Sequence, residues 1–189
     1  MFYKLTFERG INNVAIHCVL HIFTSIFKWI DYNFEIYRKY LGEWDYRMKK
    51  EIAIIGGGAS GFLVAITAKK NGRDVVILER KDRVLKKVLT TGNGRCNLTN
   101  VNASNRNYFG IEKMKQPIEE ILESFTSQDA MRFFEDEVGI ICNEENRGKV
   151  YPLSGQAASI VDGLRFYAQN LGIEIITDFY VTKIEKEMF

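Results

Sequence analysis

The glycine-rich segment that begins at Gly56 has the residue types and spacing of a phosphate-binding turn. It follows the apolar run 52–55 and reads Gly56-Gly57-Gly58-Ala59-Ser60-Gly61. In a G-x-G-x-x-G turn the first glycine permits a tight turn, the second lets a pyrophosphate approach the backbone, and the third lets the following helix pack closely. The N–H groups near Ala59 and Ser60 would face the phosphates, because a helix start favours negative charge. The segment therefore predicts a dinucleotide site.

An acidic residue stands where such a site needs one. Glu79 closes the apolar run 75–78, and its carboxylate is placed to accept hydrogen bonds from the hydroxyls of an adenosine ribose. FAD and NAD present the same ADP moiety, so the glycine turn and Glu79 do not choose between them. If the cofactor is a nicotinamide dinucleotide, Glu79 would favour NAD over NADP, because its charge repels the 2′-phosphate of NADP.

A second polar segment, Thr90 to Asn100, offers backbone donors, side-chain amides and the guanidinium of Arg95. These groups suit a second approach to a large bound cofactor, and within the segment Gly92 and Asn97 are the predicted contacts. Just before it, Lys86 and Lys87 would help to neutralise a pyrophosphate. The alternative for the two lysines is an ordinary solvated charge run. The segment favours FAD over NAD.

The elements that must position these residues alternate between strand and helix. We predict a strand at 51–56, a helix at 59–71 and a strand at 74–79, which together form a βαβ unit. A long polar segment follows from Lys81 to Gln116. Further elements are predicted as helices at 117–125, 128–138 and 156–170, with Ser127 capping the second, and strands at 173–176 and 180–184. The pattern indicates an α/β fold.

Composition restricts the class of protein. The chain has 189 residues, 46% hydrophobic and 26% charged, and a net charge of +2, which gives no broad field for nucleic acid. We therefore expect no nucleic-acid partner. The three cysteines, Cys18, Cys96 and Cys142, are odd in number and widely spaced, so we expect neither a disulfide framework nor a metal site, and a cytoplasmic location.

The first 47 residues differ from the rest of the chain. They hold 12 of the 24 aromatic residues, and a natural start at Met48 would lead directly into the first strand of the βαβ unit. We predict that 1–47 is an extension outside a partial cofactor-binding domain at 48–189. Residues 11–30 are apolar, but polar side chains interrupt them and the densest apolar run falls short of the ~20 residues that cross a bilayer, so membrane contact is not favoured. His17 and His21 lack a third ligand and are interpreted as residues of an amphipathic helix.

Two blocks of the sequence resemble a known family. The first is Glu79-Arg80 together with Arg83 to Asn100, and the second runs from Gly148 to Leu164. Both are similar to blocks of the aminoacetone oxidase-like FAD-binding flavoproteins, which include bile-acid-reducing relatives, over about 49–186. The resemblance implies a Rossmann-like FAD-binding domain of the glutathione-reductase type. It also implies cofactor contacts at Arg80 and at the backbone of Val181, which would meet the adenine.

The sequence departs from the family at two points. Leu85 stands where a glycine is expected, and family members continue through a substrate domain and a closing strand beyond the equivalent of Phe189. The domain is therefore expected to be incomplete at its C-terminus. We predict the FAD-binding portion of an FAD-dependent oxidoreductase with an unidentified substrate. The alternatives are a non-catalytic remnant that binds an adenine nucleotide and an NAD-dependent dehydrogenase.

Overall fold

The computed structural model describes residues 2–7, 33–40, 43–108 and 115–187. In chain order the strands are β1 (Phe2–Phe7), β2 (Asn33–Tyr40), β3 (Glu43–Lys50), β4 (Ile52–Ile55), β5 (Val75–Leu78), β6 (Thr99–Asn100), β7 (Cys142–Glu145), β8 (Lys149–Pro152), β9 (Glu174–Ile176) and β10 (Val181–Glu187). The α-helices are α1 (Ala59–Lys70), α2 (Lys115–Ser124), α3 (Ser127–Arg132) and α4 (Ala157–Asn170). The chain forms two compact units: unit 1 comprises Met1–Lys86 and Ala168–Phe189, and unit 2 comprises Lys87–Tyr167.

A parallel sheet of order β4-β5-β9 forms the centre of unit 1. Its middle strand β5 is an uninterrupted apolar run and all four of its residues are buried, as expected of a strand covered on both faces. Ile52 pairs with Val75, and Val76 pairs with Glu174. Helix α1 connects the first two strands and buries Phe62, Ala65, Ile66 and Ala68. The predicted βαβ unit is therefore present.

The N-terminal strands contribute to a second sheet of unit 1, of order β10-β1-β2-β3. Strand β1 pairs antiparallel with β10, where Phe2 lies opposite Glu187, and parallel with β2. Met48 lies inside β3, which ends at Lys50, two residues before β4 begins. The proposed start at Met48 stays a prediction. Residues 11–30, with both histidines, lie outside the described residues.

Unit 2 contains an antiparallel sheet of order β6-β8-β7 and the helices α2, α3 and most of α4. Its buried side chains include Val150, Ile160 and Leu164. On α4, a β-carbon at Gly163 would lie 2.6 Å from the Cδ1 atom of Ile140, so this glycine allows the helix to pack closely.

Two details of the predicted elements are corrected by the structure. Thr126, and not Ser127, caps α3, since its hydroxyl accepts a hydrogen bond from the N–H of Asp129 while its own N–H donates to the Asp129 carboxylate. The predicted helix at 128–138 is α3 followed by a π-helical turn at Phe133–Val138. Glu144 and Glu145 lie on β7. Ile141, just before β7, is 62% exposed.

The predicted loop from Lys81 to Gln116 contains short regular elements. These are a 3₁₀ segment at Val88–Gly94, strand β6 and a 3₁₀ turn at Asn105–Asn107. No helix among the described residues is long and apolar enough to cross a membrane. Because residues 11–30 are not among them, the expectation about membrane contact stays a prediction.

Candidate nucleotide-binding site

The glycine turn lies between the end of β4 and the start of α1. Gly56 has φ +101°, a backbone conformation that L side chains rarely adopt, and its N–H donates to the carbonyl of Leu78 at 2.8 Å. This bond attaches the turn to the carboxyl end of β5, so the turn lies at the edge of the sheet where ligands of α/β folds bind.

The start of α1 has the features of an anion site. Gly58 is its N-cap in an extended conformation, without a side-chain cap, and the first helical bond runs from the N–H of Phe62 to the carbonyl of Gly58 at 3.0 Å. The N–H groups of Ala59, Ser60 and Gly61 precede that bond and have no partner within the helix. No acidic residue lies in the first turn, and a β-carbon at Gly58 would have no neighbour within 4 Å. A phosphate can therefore approach these donors.

Glu79 lies beside this turn at the end of β5. One of its carboxylate oxygens accepts a hydrogen bond from the N–H of Gly57 at 2.7 Å, and the other accepts from the N–H of Lys81 at 2.9 Å. The backbone of Glu79 is held by β9 and the segment after it, through bonds with Ile176 at 2.8 Å and Phe179 at 2.9 Å. Each carboxylate oxygen keeps acceptor capacity for a ribose hydroxyl.

The segment after Glu79 returns to the turn. The N–H of Leu85 donates to the carbonyl of Gly57 at 2.7 Å, and a β-carbon at Gly57 would lie 2.5 Å from the Cγ1 atom of Val84. Val84 and Leu85 are buried, and Leu85 has φ +57°. Sequence reasoning missed this contact, although the expected glycine at Leu85 indicated an unusual backbone there.

The other predicted contacts of unit 1 have different environments. Arg80 is exposed. Lys86 is also exposed and pairs with Asp82 at 3.3 Å, and its hydrogen bond lowers the pKa of the Asp82 carboxyl. Val181 begins β10 and packs against the buried cluster of Val76, Leu78 and Phe179. Unit 1 thus places Glu79 between the glycine turn and the chain that leads to Val181.

The predicted contacts in unit 2 lie in a backbone of unusual conformation. Gly92, Asn93, Gly94 and Cys96 all have φ between +54° and +80°. A β-carbon at Gly92 would lie 2.7 Å from the nitrogen of Asn97, so these two predicted residues are adjacent. The amide of Asn97 donates to the carbonyl of Val150 at 3.2 Å. Lys87 is exposed.

Arg95 does not present a free guanidinium, contrary to our expectation. Its two terminal nitrogens donate to the two carboxylate oxygens of Glu145, and its guanidinium carbon lies 4.1 Å from the ring centre of Tyr151. The hydrogen bond from Arg95 lowers the pKa of Glu145, and the same bond raises the pKa of Arg95. Glu145 is therefore the ion-pair partner of Arg95.

The described cysteines have the properties of structural residues. Cys96 is buried, and that burial raises the pKa of its thiol. Burial, assisted by the charge of Glu135, raises the pKa of Cys142 to about 11. Thiols with raised pKa values are poor nucleophiles at neutral pH. Among the described residues, no group of three or more histidine, cysteine or acidic side chains could hold a metal ion.

Comparison with known proteins identifies the family. The model of the HI0933-like protein Rossmann domain matches residues 50–188. The chain belongs to this family. The predicted resemblance and the predicted Rossmann-like α/β fold are confirmed.

Two curated relatives match a large part of the chain. The chain is 37% identical over 136 residues to the 3-dehydro-bile acid delta(4,6)-reductase of Clostridium scindens, a match that covers 71% of the chain and 32% of the relative. It is 26% identical over 136 residues to the ribosomal RNA dihydrouridine synthase of Haemophilus influenzae, which covers 72% of the chain and 33% of the relative. The chain spans about one third of the length of these relatives.

Solved structures also match at low identity. The THI4 protein of Thermovibrio ammonificans is 17% identical with a TM-score of 0.46, covering 68% of this chain and 38% of that one. The glycine oxidase of Bacillus cereus is 14% identical with a TM-score of 0.46, covering 73% of this chain and 50% of that one.

Proposed function

We propose that this chain is the FAD-binding portion of an FAD-dependent oxidoreductase. The observation that carries the proposal is the accessible, uncapped start of α1 at Gly58, with the carboxylate of Glu79 hydrogen-bonded to the neighbouring Gly57. Phosphate donors and a ribose acceptor are thereby provided by one turn of the fold, as a dinucleotide requires. The family assignment supports FAD as that dinucleotide.

The residues of unit 1 fit the ADP half of FAD. The N–H groups of Ala59, Ser60 and Gly61 would bind the pyrophosphate, which the open space at Gly58 admits. Glu79 would accept hydrogen bonds from the ribose, and the backbone of Val181 would contact the adenine. We assign Arg80, Lys86, Lys87, Gly92 and Asn97 to the cofactor on sequence grounds. When bound, the flavin supplies the hydride chemistry, while the protein binds and orients it.

The substrate does not follow from the family. The two relatives are named for a bile acid derivative and for ribosomal RNA, which are chemically unlike. Relatives with such different names indicate no single substrate, so we propose none for this chain. The absence of a nucleic-acid partner stays a prediction based on the near-neutral charge.

An absorbance spectrum of the purified full chain tests the proposal directly. A yellow protein that releases FAD on denaturation, identified by chromatography and mass, is the expected result. A colourless protein that takes up NAD but not FAD would instead support the dehydrogenase alternative. A chain that binds neither ligand would also overturn the proposal.

A matched pair of variants tests where the cofactor binds. Gly58→Val places a branched side chain where the structure has open space, so the protein should fold but lose the cofactor. Thr67→Val introduces the same side chain at an exposed position further along α1, and this variant should retain the cofactor. Equal FAD content in both variants, with unchanged circular dichroism, would contradict the assignment to the start of α1.

A further inference from the structure

Gly57 occupies a variable position of the glycine fingerprint, yet both its N–H and its carbonyl form hydrogen bonds. Its N–H donates to Glu79 at 2.7 Å and its carbonyl accepts from Leu85 at 2.7 Å. It is buried, and a β-carbon there would lie 2.5 Å from Val84 Cγ1. By contrast, neighbouring Gly58 is exposed and has open space beside it. Gly57 therefore connects the turn to the rest of the protein, whereas Gly58 leaves room for a ligand.

We infer that Glu79 is a positioning residue for the glycine turn, in addition to any contact with ribose. The inference rests on the proposed function, since it concerns the same site. The carboxylate joins the N–H of Gly57 on one oxygen to the N–H of Lys81 on the other. One side chain thus holds two backbone segments. The turn is preorganised, and ligand binding does not bear the cost of ordering it.

A carboxylate is suited to this task because it is an acceptor on both oxygens, whereas an amide is not. In Glu79→Gln one oxygen can still accept from Gly57 or Lys81, but the NH₂ group then faces the other N–H donor. One of the two backbone groups loses its partner, and the turn loses part of its support. Loss of the negative charge alone would favour an anionic ligand, so a weaker affinity would not have a Coulombic cause.

The choice of nucleotide separates positioning from ribose recognition. ADP carries both ribose hydroxyls, and 2′,3′-dideoxy-ADP carries neither. If Glu79 only recognises ribose, Glu79→Gln weakens ADP binding and leaves dideoxy-ADP unaffected. If Glu79 also positions the turn, the affinity for both nucleotides falls, and we expect a loss of about tenfold for dideoxy-ADP.

The neighbouring glycine provides a second and independent variant. Gly57→Ala places a methyl group against Val84 and should displace the turn, which would lower the affinity for both nucleotides. Val84→Ala removes the opposing methyl groups, so Gly57→Ala combined with Val84→Ala should recover nucleotide affinity relative to Gly57→Ala alone. A double variant as weak as the single one would show that the contact with Val84 does not set the position of the turn.

The experiment measures both nucleotides by calorimetry on the full chain, freed of bound flavin, for wild type, Glu79→Gln and the control Glu51→Gln. Glu51 also accepts a backbone N–H, from Asp74 at 2.7 Å, at the opposite end of the strands. We expect Glu79→Gln to lower the affinity for dideoxy-ADP and Glu51→Gln to leave that affinity unchanged. Unchanged dideoxy-ADP binding in Glu79→Gln overturns the inference, as does an equal loss in the control.

Hydrogen exchange of the ligand-free chain distinguishes failure of this inference from failure of the proposed function. If wild type binds no adenine nucleotide, the proposed function fails, but the hydrogen bonds of Glu79 can still be tested. Faster exchange at the amide of Gly57 or of Lys81 in Glu79→Gln than in Glu51→Gln supports positioning of the turn. Unchanged exchange at both amides overturns it.

Discussion

A β-carbon on Gly61 would lie 2.1 Å from the carbonyl oxygen of Gly56. The first residue of the turn and the first turn of α1 are therefore in direct backbone contact. Ile54 on β4 lies close to the same point, with its Cγ2 atom 3.3 Å from that β-carbon. Because a backbone oxygen is the obstacle, no change of side-chain rotamer can make room for even a methyl group.

Gly61→Ala should consequently separate α1 from the turn and destabilise the protein. We expect a loss of about 2–3 kcal/mol in the free energy of unfolding, as for overpacked sites, measured by denaturant titration. Gly58→Ala is the matched control, because a β-carbon there meets nothing within 4 Å. Equal stabilities of the two variants would contradict the close packing at Gly61.

The opposite end of the parallel sheet is held by a charged cluster around Lys50. Its ammonium lies 3.1 Å from Asp74 and 3.4 Å from Glu174, which precede β5 and begin β9, respectively. The Lys50 side chain is only 17% exposed. We expect Lys50→Met to lower stability by about 1 kcal/mol, whereas Lys86→Met, which loses only an exposed pair, should change it by less than about 0.5 kcal/mol. Chemical denaturation of the two variants tests this difference.

The contribution of Lys50 should depend on pH at the alkaline end. Burial alone would lower its pKa, but the hydrogen bonds and charges of Asp74 and Glu174 together raise it above the ordinary value of 10.5. A raised pKa in the folded state means that the stabilisation is complete below pH 10.5 and is lost as pH rises through the folded-state pKa. The stability difference between Lys50→Arg and wild type should therefore shift in favour of arginine above pH 10.5, since arginine stays protonated. An unchanged difference would contradict the assigned ion pairs.

Leu85 combines full burial with φ +57°. A left-handed conformation costs a leucine or an alanine roughly 1–2 kcal/mol, whereas a glycine adopts it readily. Leu85→Ala loses the buried side chain and keeps this strain, but Leu85→Gly loses the side chain and relieves it. We therefore expect Leu85→Gly to be at least as stable as Leu85→Ala, the reverse of the usual order. Thermal unfolding of both variants measures the order, and a markedly less stable glycine variant would contradict the backbone conformation.

The sequence predicts those parts of unit 1 whose signals lie close together along the chain. The apolar run 75–78, the glycine turn and Glu79 are consecutive features of one βαβ unit, and each lies where it was expected. The support of Gly57 by Leu85 was missed, because a leucine itself does not indicate a left-handed backbone and the glycine expected at that position was the one signal of it.

Contacts between distant parts of the chain were missed for a different reason. Arg95 and Glu145 are fifty residues apart, and β1 pairs with β10 across almost the whole chain. Neither hydropathy nor spacing predicts which charged residue or which strand edge will meet another over such distances. The cap of α3, by contrast, is a local feature, and we misassigned it. Thr126 and Asp129 have the spacing of a capping box, which is visible in the sequence.

Replacement of Thr126 tests the cap of α3. Thr126→Ala removes the acceptor for the N–H of Asp129, and we expect a loss of about 1 kcal/mol, as for other N-cap residues. Ser127→Ala alters the first residue of the helix and should change stability by less than about 0.5 kcal/mol. Denaturant titration of the two variants distinguishes the caps, and a larger effect at Ser127 would restore the original assignment.

The pair of Arg95 and Glu145 should stabilise unit 2 in a pH-dependent manner. The hydrogen bond from Arg95 lowers the pKa of Glu145 below its ordinary value of 4.5. A lowered pKa in the folded state gives a stabilisation that is complete above pH 4.5 and is lost as pH falls through the folded-state pKa. Glu145→Gln should therefore be less stable than wild type at neutral pH, and the difference should shrink in acid. Exposed Glu144 is on the same strand, so Glu144→Gln is the matched control and should change stability at neutral pH by less than about 0.5 kcal/mol.

The contacts of Arg95 depend on the planar shape of its guanidinium as well as on its positive charge. Arg95→Lys retains one positive charge but loses the two-point contact with Glu145 and the planar contact with Tyr151. We expect Arg95→Lys to lose most of the stabilisation and its acid dependence at moderate salt, where a single exposed pair is screened. A double-mutant cycle of Arg95→Lys with Glu145→Gln, measured by denaturation at neutral pH and at pH below 4.5, gives the coupling. A lysine variant that retained the full coupling would show that proximity of charge, and not the paired contact, holds β7 to this segment.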